Sequence, residues 1–270
     1  MTKAEDDRLE FKLPDVEFDD DVEVCPKCFG AGVVVEEEDG VRRGRVCDCQ
    51  RGLTTRRRTA AAGIPARYRE CSLDNFDIVS GFTHESVIRA KRFAESFVDN
   101  YPAVDAGLLF MGPVGVGKTH LAAGVVKALT EQKGADCRWC DFSDLLAEVK
   151  KRYAGSTFDE YVILEPLVGA EVLLLDDLGS MKIRDWTLDF LSYVINQRYV
   201  NRRIVVATTN YLDESPTEET LAEFARREET LAERIGPRLR SRLLEMCKTV
   251  PLGGSDFRRE QRQTGILRNL

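Results

Sequence analysis

The sequence contains no long apolar run and does not begin like a secreted protein. In a chain of 270 residues, of which 43% are hydrophobic, no apolar stretch approaches the roughly 20 residues that span a bilayer. The first ten residues, MTKAEDDRLE, are charged where a signal peptide would be apolar. We therefore expect a cytoplasmic protein with no membrane partner. Its eight cysteines should then stay reduced, because that compartment disfavours disulfides.

Basic residues are scarce at the start of the chain. Met1–Val24 holds ten Asp and Glu against three Lys and Arg, a net −7 that equals the charge of the whole sequence, so the remaining residues sum to zero. This composition predicts a disordered, solubilising tail over 1–24, with a docking tail or a nucleic-acid mimic as the alternative. The overall acidity does not exclude a nucleic-acid partner, provided that basic surface is concentrated locally.

The chain after the tail divides into zones of different composition. A Cys- and Gly-rich module covers 25–50, a basic linker with helical character covers 51–72, an α/β core covers 73–258 and a tail covers 259–270. In the core, apolar runs alternate with amphipathic stretches, which is typical of βα units around a parallel sheet. The predicted strands are Ala106–Phe110, Cys137–Phe142, Val172–Leu175, Ile204–Ala207 and Cys247–Leu252. The predicted helices are Glu85–Asn100, Lys118–Gln132, Ser143–Tyr153, Trp186–Val200 and one within Pro216–Ile235.

A glycine-rich loop joins the first core strand to its helix. The stretch LLFMGPVGVGKTHLAAG contains Gly112-x4-Gly117-Lys118-Thr119 between an apolar strand and an amphipathic helix, the context that a Walker A motif requires. Backbone N–H groups and the helix N-terminus would cradle phosphates, Lys118 would reach the β- and γ-phosphates, and the Thr119 hydroxyl would bind Mg²⁺. The expected nucleotide contacts are Gly112, Pro113, Val114, Gly115, Val116, Gly117, Lys118, Thr119, His120 and Asp176. The alternative, a plain glycine loop at a strand end, fits this context poorly.

Acidic and amide side chains follow two other predicted strands. In AEVLLLDDLGS, Asp176 would hold Mg²⁺ through water and Asp177 would act as the general base for the attacking water. Without the glycine loop, helix caps or loop solvation would explain these two carboxylates equally well. In RRIVVATTNY, Asn210 would lie between Asp176 and the γ-phosphate in a P-loop sheet of order 5-1-4-3-2, where it would help to position the attacking water. A Thr- and Asn-rich turn at the strand end is the alternative.

Four cysteines lie in the module that precedes the core. Cys25-x2-Cys28-x18-Cys47-x-Cys49 supplies the four thiolates that a tetrahedral structural zinc site prefers. The intervening segment reads as a β-hairpin with Asp39-Gly40 at its turn, which would bring the two pairs together. An iron–sulfur cluster and unliganded thiols remain the alternatives. The other cysteines lie in or beside apolar segments and are predicted to be core residues: Cys71, Cys137, Cys140 and Cys247.

The order and spacing of these motifs resemble one protein family. The glycine loop, LLLDDLG, the helix with LSYVINQRY, ATTN and RLRSRL together are similar to the DnaC/IstB-like branch of the AAA+ ATPases, over about Ile64 to Arg258. The resemblance implies an AAA+ P-loop core, ATP as the nucleotide, and either a replicative helicase loader or the ATPase subunit of an IS21-type transposon. It also implies that the cysteine module is a docking element, although its basic residues leave DNA contact open. After the core we expect no helical lid.

The resemblance suggests a role for the arginines of the stretch RLRSRL. In AAA+ proteins the nucleotide lies between subunits, and a neighbour supplies an arginine finger to the γ-phosphate. Arg242 matches that finger and Arg238, one helical turn earlier, is the second candidate. The alternative is a solvated basic face.

A second basic group closes the predicted helix DFSDLLAEVKKRY. In related loaders the corresponding helix faces a channel that holds single-stranded DNA, so the resemblance suggests Lys150, Lys151, Arg152 and Tyr153 as DNA contacts. Basic residues at a helix C-terminus are equally expected from the helix dipole.

These observations lead to one expected function and two alternatives. The expected function is a helicase loader that binds ATP and Mg²⁺, assembles into a ring or spiral on single-stranded DNA and docks a replicative helicase. The first alternative is a transposition regulator that forms ATP-dependent filaments on double-stranded DNA and recruits a transposase. The second is a nucleotide-switched scaffold with little turnover.

Overall fold

The computed structural model describes residues 25–29, 31–38, 41–76, 84–153, 161–181, 185–213 and 229–257. The chain forms two compact units, Met1–Leu53 and Thr54–Leu270, and each is described by itself. The acidic tail over 1–24, the tail over 259–270 and the predicted turn at 39–40 lie outside the described residues.

The first unit contains the predicted hairpin. Strands β1 (Val33–Glu38) and β2 (Val41–Val46) pair antiparallel, with Val33 opposite Val46 and Glu38 opposite Val41. Helix α1 (Asp48–Ala61) begins directly after Cys47, and the boundary between the units falls at Leu53 within it. The register confirms the prediction that a hairpin returns the chain, so that Cys47 follows the strand paired with β1.

The second unit is built on a five-stranded parallel sheet. Its strands are β3 (Gly107–Met111), β4 (Cys137–Asp141), β5 (Val172–Asp176), β6 (Ile204–Thr209) and β7 (Cys247–Pro251). They lie in the order β4-β5-β6-β3-β7, and every neighbouring pair is parallel. Numbered within the core, this is the predicted order 5-1-4-3-2, and the predicted α/β fold class is confirmed. The parallel arrangement also brings the carboxyl ends of β3, β5 and β6 to one edge of the sheet.

Helices cover both faces of this sheet. They are α2 (Glu85–Asn100), α3 (Lys118–Ala128), α4 (Phe142–Tyr153), α5 (Tyr161–Gly169), α6 (Asp185–Val200), α7 (Leu231–Ile235) and α8 (Pro237–Met246). A 3₁₀ turn occupies Ala66–Tyr68, and a π-helical turn, Leu129–Lys133, continues α3. One apolar cluster packs α2 and α3 on the sheet, and a second packs α4, α5, α6 and α8 on the other face. The central strands β3 and β5 are fully buried, which explains their unbroken apolar runs.

Several predicted boundaries were wrong by one to four residues. Phe142 begins α4 rather than ending β4, because the Asp141 carboxylate accepts hydrogen bonds from the N–H groups of Ser143 and Asp144 at 2.8 and 3.0 Å and so caps the helix. Strand β6 runs two residues past its predicted end and includes Thr208 and Thr209. The predicted helix Lys118–Gln132 is α-helical only to Ala128.

Helices α5 and α8 were not predicted. The α5 sequence, YVILEPLVG, is apolar around most of its circumference and contains Pro166, so it lacks the amphipathic period that marks a surface helix. Helix α8 carries RLRSRL, and Gly236 with a φ of 86° and Pro237 in its first turn mark where it starts. Most of the helix predicted within Pro216–Ile235 lies outside the described residues, which contain only α7 there. Within the described part of the chain, no helix has the length and apolar character needed to cross a membrane.

Candidate nucleotide and metal sites

Three glycines of the loop between β3 and α3, Gly112, Gly115 and Gly117, have φ values in the left-handed region that favours glycine. Gly112 has a φ of 154° and Gly117 a φ of 100°. A Cβ atom on Gly112 would lie 2.0 Å from the carbonyl oxygen of Leu252, and one on Gly117 would lie 2.6 Å from the Phe76 ring. The loop therefore forms a tight backbone cradle directly before the N-terminus of α3, which fits the binding of a nucleotide phosphate.

Lys118 lies over this cradle. Its side chain is only 6% exposed, and its Nζ atom donates hydrogen bonds to the carbonyl oxygen of Pro113 and to Oδ1 of Asn210, both at 2.7 Å. The structure thus brings together Lys118 of the loop and Asn210 from the end of β6, which are 92 residues apart in the sequence.

Asp176 and Thr119 meet beside the loop. The Thr119 hydroxyl donates to Oδ1 of Asp176 at 3.0 Å, and Asp176 is 4% exposed. Burial raises the pKa of Asp176, while the hydrogen bonds from the Thr208 and Thr119 hydroxyls act in the opposite direction. A hydroxyl and a carboxylate at this separation are the oxygen ligands that Mg²⁺ prefers, so the residues present fit the predicted ion.

Asp177 is held in an unusual backbone conformation. It directly follows β5, is half-buried, and has a φ of 52°, in the left-handed region that non-glycine residues rarely adopt. The Asn210 amide Nδ2 donates to Oδ1 of Asp177 at 2.5 Å. Asn210 therefore bridges Lys118 and Asp177, two of the residues that the sequence assigned to the nucleotide.

Two further residues of this site were missed by the sequence analysis. The Thr208 hydroxyl donates to Oδ1 of Asp176 at 2.6 Å and accepts from the N–H of Asp177 at 2.8 Å. The buried Arg234 side chain donates to the carbonyl oxygens of Gly179 and Ser180, at 2.7 and 2.8 Å, and so braces the loop after Asp177. The signal for Thr208 was present in ATTN, but the predicted strand ended one residue too early to include it. Arg234 carries no local signal.

The His120 side chain contacts the segment before α2 instead of the glycine loop. Its Nε2 atom lies 3.1 Å from the carbonyl oxygen of Ser72 and 3.0 Å from Oδ1 of Asn75, which makes Nε2 the protonated nitrogen. Its ring packs edge-on against Phe76, with the ring centroids 5.1 Å apart. The His120 ring therefore packs against Ser72, Asn75 and Phe76, and a contact of this residue with the nucleotide stays a prediction.

The arginines of α8 have three different environments. Arg240 forms an ion pair with Asp213 through two hydrogen bonds, whereas Arg238 is exposed and Arg242 is half-buried. Beside Arg242, the Tyr199 hydroxyl donates to Glu245 at 2.8 Å. That hydrogen bond raises the pKa of Tyr199, and the positive charge of Arg242 acts against it. Arg238 and Arg242 are one turn apart on α8, and which of them acts as an arginine finger stays a prediction.

The predicted DNA contacts are at the end of α4. Lys150, Lys151, Arg152 and Tyr153 belong to the last turn of this helix, and their side chains lie outside the described residues.

The four cysteines of the first unit converge. The Sγ atoms of Cys25, Cys28, Cys47 and Cys49 all lie within 4.8 Å of one another, an arrangement that could hold a metal ion. The Sγ atoms of Cys25 and Cys47 are 3.8 Å apart and those of Cys28 and Cys49 are 3.4 Å apart, close to the separation of about 3.8 Å that tetrahedral zinc–sulfur bonds imply. Backbone N–H groups of Cys28 and Lys27 lower the pKa of Cys25 to about 7, whereas hydrogen bonds with Cys28 and Cys47 raise the pKa of Cys49 to about 12. The case for a metal therefore rests on the convergence of the four sulfur atoms.

Cys49 lies in the first turn of α1, so the start of this helix accounts for the short Cys-x-Cys spacing of the second pair. Of the remaining cysteines, Cys137, Cys140 and Cys247 are buried as predicted, and Cys71 is half-buried.

Comparison with known proteins identifies the family to which the chain is similar. Residues 33–265 match the family described as IstB-like ATP binding protein. The replicative helicase loader DnaC of Buchnera aphidicola (subsp. Acyrthosiphon pisum, strain APS) is 25% identical over 63% of this chain, and the match covers 65% of that protein. The replicative helicase loader DnaC of Escherichia coli (strain K12) is 22% identical over 65% of this chain, and the match covers 69% of that protein. A crystal structure of the DnaC helicase loader is 32% identical, with a TM-score of 0.58, and the match covers 70% of this chain and 99% of that one.

Proposed function

The chain belongs to the IstB-like ATP-binding family, and from this premise we propose that it is an ATP-dependent loader of a replicative DNA helicase. The observation that carries the proposal is the match to a DnaC helicase loader structure at 32% identity over 99% of that chain. The constellation around the glycine loop supports it, because the parallel sheet brings Lys118, Asp176 and Asn210 together from three separate segments.

We assign the roles around the nucleotide as follows. The glycine loop and Lys118 bind the phosphates, and Thr119 and Asp176 would hold Mg²⁺, which neutralises phosphate charge when bound. Asp177 takes the proton of the attacking water, and Asn210 positions Asp177 through the 2.5 Å hydrogen bond from its amide. Lys118 exchanges the carbonyl of Pro113 for phosphate oxygens when nucleotide arrives.

Assembly completes the site in this proposal. Arg242 of a neighbouring copy reaches the γ-phosphate and offsets the charge of the transition state, with Arg238 as the second candidate. The copies form a ring or spiral, and Lys150, Lys151, Arg152 and Tyr153 face single-stranded DNA within it. The cysteine module binds one zinc ion and docks the helicase.

A direct test is ATP-dependent loading of the cognate replicative helicase onto circular single-stranded DNA, which offers no free end to thread. We expect loading with the wild-type chain, and none with Lys118→Ala, which should lose ATP binding while keeping its fold. Folded Lys118→Ala protein with unchanged ATP affinity would contradict the glycine-loop assignment. Absence of loading by wild-type protein that binds ATP would contradict the loader function.

The IstB-like description of the matched family favours a second candidate, the transposition regulator. It predicts ATP-dependent filaments on double-stranded DNA and binding of a transposase instead of the helicase. The same preparation, examined on double-stranded DNA with ATP, separates the two. If the protein neither loads a helicase on single-stranded DNA nor forms filaments on double-stranded DNA, and it hydrolyses ATP slowly, the nucleotide-switched scaffold is the remaining hypothesis.

A further inference from the structure

One buried hydroxyl connects the two acidic residues of the nucleotide site. Thr208 is 1% exposed and lies on β6, the strand next to β5. Its Oγ1 atom is 2.6 Å from Oδ1 of Asp176 and 2.8 Å from the backbone nitrogen of Asp177. Because the N–H of Asp177 can only donate, the single proton of the hydroxyl is directed to the Asp176 carboxylate.

We propose that Thr208 is a positioning residue that fixes the carboxylate of Asp176 for the metal ion and the backbone of Asp177 for the attacking water. This inference rests on the proposed ATPase function and adds to it a residue that acts through both acids.

The effect on Asp176 follows from which of its oxygens is occupied. Among the described residues, two hydroxyls donate to this carboxylate, those of Thr119 and Thr208, and both bind Oδ1. We therefore assign Oδ2 to a metal-bound water. Thr119 is itself an assigned metal ligand and must turn a lone pair towards the ion. Thr208 has no such second role, and its hydrogen bond is the shorter by 0.4 Å (3.0 against 2.6 Å). It therefore keeps the carboxylate in one orientation whether or not the metal is bound.

The effect on Asp177 follows from its backbone. A φ of 52° is unfavourable for aspartate, and the hydrogen bond from its N–H to the Thr208 hydroxyl helps to hold that conformation. The next residue is held by the same strand, because the N–H of Leu178 donates to the Thr208 carbonyl oxygen at 2.8 Å. The Asp177 carboxylate is thereby presented to the Asn210 amide. Loss of the Thr208 hydroxyl would remove this hydrogen bond, so that the left-handed conformation of Asp177 would be held less firmly.

A purely structural role for a buried threonine is the competing explanation, and Thr209 provides the matched control. It is the next residue of β6 and is 0% exposed. Its hydroxyl also makes two hydrogen bonds, donating to the carbonyl oxygen of Leu178 at 2.8 Å and accepting from the N–H of Tyr211 at 3.2 Å. None of its described hydrogen bonds reaches Asp176 or Asp177. Thr209→Val therefore removes an equally buried hydroxyl without touching either acid.

The experiment measures metal binding separately from turnover. The affinity of Mn²⁺ for nucleotide-bound full-length protein is followed by electron paramagnetic resonance, and nucleotide affinity is measured in excess chelator to show that the site is folded. We expect Thr208→Val to weaken Mn²⁺ binding about 10–100-fold, the usual effect of removing a residue that orients a metal ligand. Metal-free nucleotide affinity should be unchanged. Thr208→Ser should restore Mn²⁺ binding, and Thr209→Val should retain it.

Three outcomes would overturn the inference. Wild-type Mn²⁺ affinity in both Thr208→Val and Thr208→Ala, alongside a loss in Asp176→Asn, would remove Thr208 from the site while leaving the proposed function intact. An equal loss of Mn²⁺ affinity in Thr209→Val would show that the role of Thr208 is only structural. Wild-type affinity in Asp176→Asn would show that the metal assignment, and with it the proposed function, is wrong. If Thr208→Val does not fold, Thr208→Ala and Thr208→Ser decide the question.

Discussion

The buried carboxylate of Asp176 suits the proposed binding of a metal ion, but it lowers the stability of the nucleotide-free protein. Its carboxylate is 4% exposed, and burial raises its pKa above the ordinary value of about 3.9. A raised native pKa means that the folded protein binds more protons than the unfolded chain between the two pKa values. The stability of the fold therefore decreases as the pH rises through that window, and the ionised carboxylate destabilises the nucleotide-free protein at neutral pH.

Replacing this carboxylate by its neutral isostere is therefore expected to stabilise the nucleotide-free protein. Asp176→Asn should unfold at a higher temperature than the wild type at pH 7.5. The difference should be smaller at pH 4, close to the ordinary pKa of about 3.9, because the raised native pKa makes the folded protein take up this proton before the unfolded chain does. The same variant should lose the additional stabilisation that Mg²⁺ gives in the presence of ATP. Thermal unfolding at the two pH values checks this, with the exposed Asp189→Asn as a control of equal charge. A lower unfolding temperature for Asp176→Asn at pH 7.5 would refute the argument.

At the scale of secondary-structure elements, a buried arginine ties a helix to the sheet. Arg198 of α6 is 0% exposed, and its guanidinium donates to the carbonyl oxygens of Leu167, Ala170 and Ile204 at 2.7, 2.9 and 2.6 Å. Weaker bonds reach Val168 and Glu171. Burial lowers the pKa of Arg198 to about 10, so it stays charged at neutral pH. These acceptors belong to the C-terminal end of α5, the turn after it and the start of β6.

Removing this charge should destabilise the second unit strongly. In Arg198→Met, several buried carbonyl groups lose their donor, at about 1–3 kcal/mol for each one left unsatisfied. We expect a loss of at least ~3 kcal/mol in the free energy of unfolding, measured by urea denaturation. The nearby, exposed Arg203→Met should stay within about 0.5 kcal/mol of the wild type, as is usual for surface substitutions. Equal stability of the two variants would show that the carbonyl groups find other partners.

The elements also show what the sequence could predict and what it could not. The five strands and α2 were predictable from the alternation of apolar runs and amphipathic stretches. The sheet order was expected from the type of P-loop sheet that the glycine loop indicates, because the alternation alone does not determine which strands are neighbours. Helix α5 was not, since nearly all of its circumference is apolar and Pro166 reads as a break. The end of β6 was misplaced, and this hid the contact of Thr208 with the two acids. The direction of the His120 ring depends on Ser72 and Asn75, which no local motif connects to the glycine loop.

On the scale of the whole molecule, the α8 arginines bear on assembly. If Arg242 is the finger of a neighbouring copy, Arg242→Ala keeps its own glycine loop, Asp176 and Asp177 and should bind ATP almost normally. Its hydrolysis should decrease by about 10³-fold or more, because each site then lacks a charge that stabilises the transition state. Steady-state ATPase rates and equilibrium nucleotide binding distinguish the two effects.

Mixing variants provides a sharper test of the same hypothesis. An Asp177→Asn subunit keeps its finger, so mixing it with Arg242→Ala should restore part of the activity at interfaces that combine one intact acid with one intact arginine. If Arg238→Ala is defective and Arg242→Ala is not, the finger is one turn earlier in α8. Wild-type hydrolysis by both single variants would leave RLRSRL as a basic surface only.

The first unit is too small to fold by hydrophobic burial alone, so its order should depend on a metal. The sheet formed by the described residues of this unit has two strands of six residues each, a size that is at best marginally stable in water. Four thiols within 4.8 Å of one another would also repel as thiolates without a cation between them.

We expect one zinc ion per full-length chain by elemental analysis. A chelator should abolish hydrogen-exchange protection in 33–46 while β3–β7 stay protected. Cys49→Ser should lose the metal and this protection, whereas Cys71→Ser, which changes a cysteine outside the cluster, should retain both. Iron with visible absorbance, or protection that survives complete metal removal, would show that zinc does not hold this unit together.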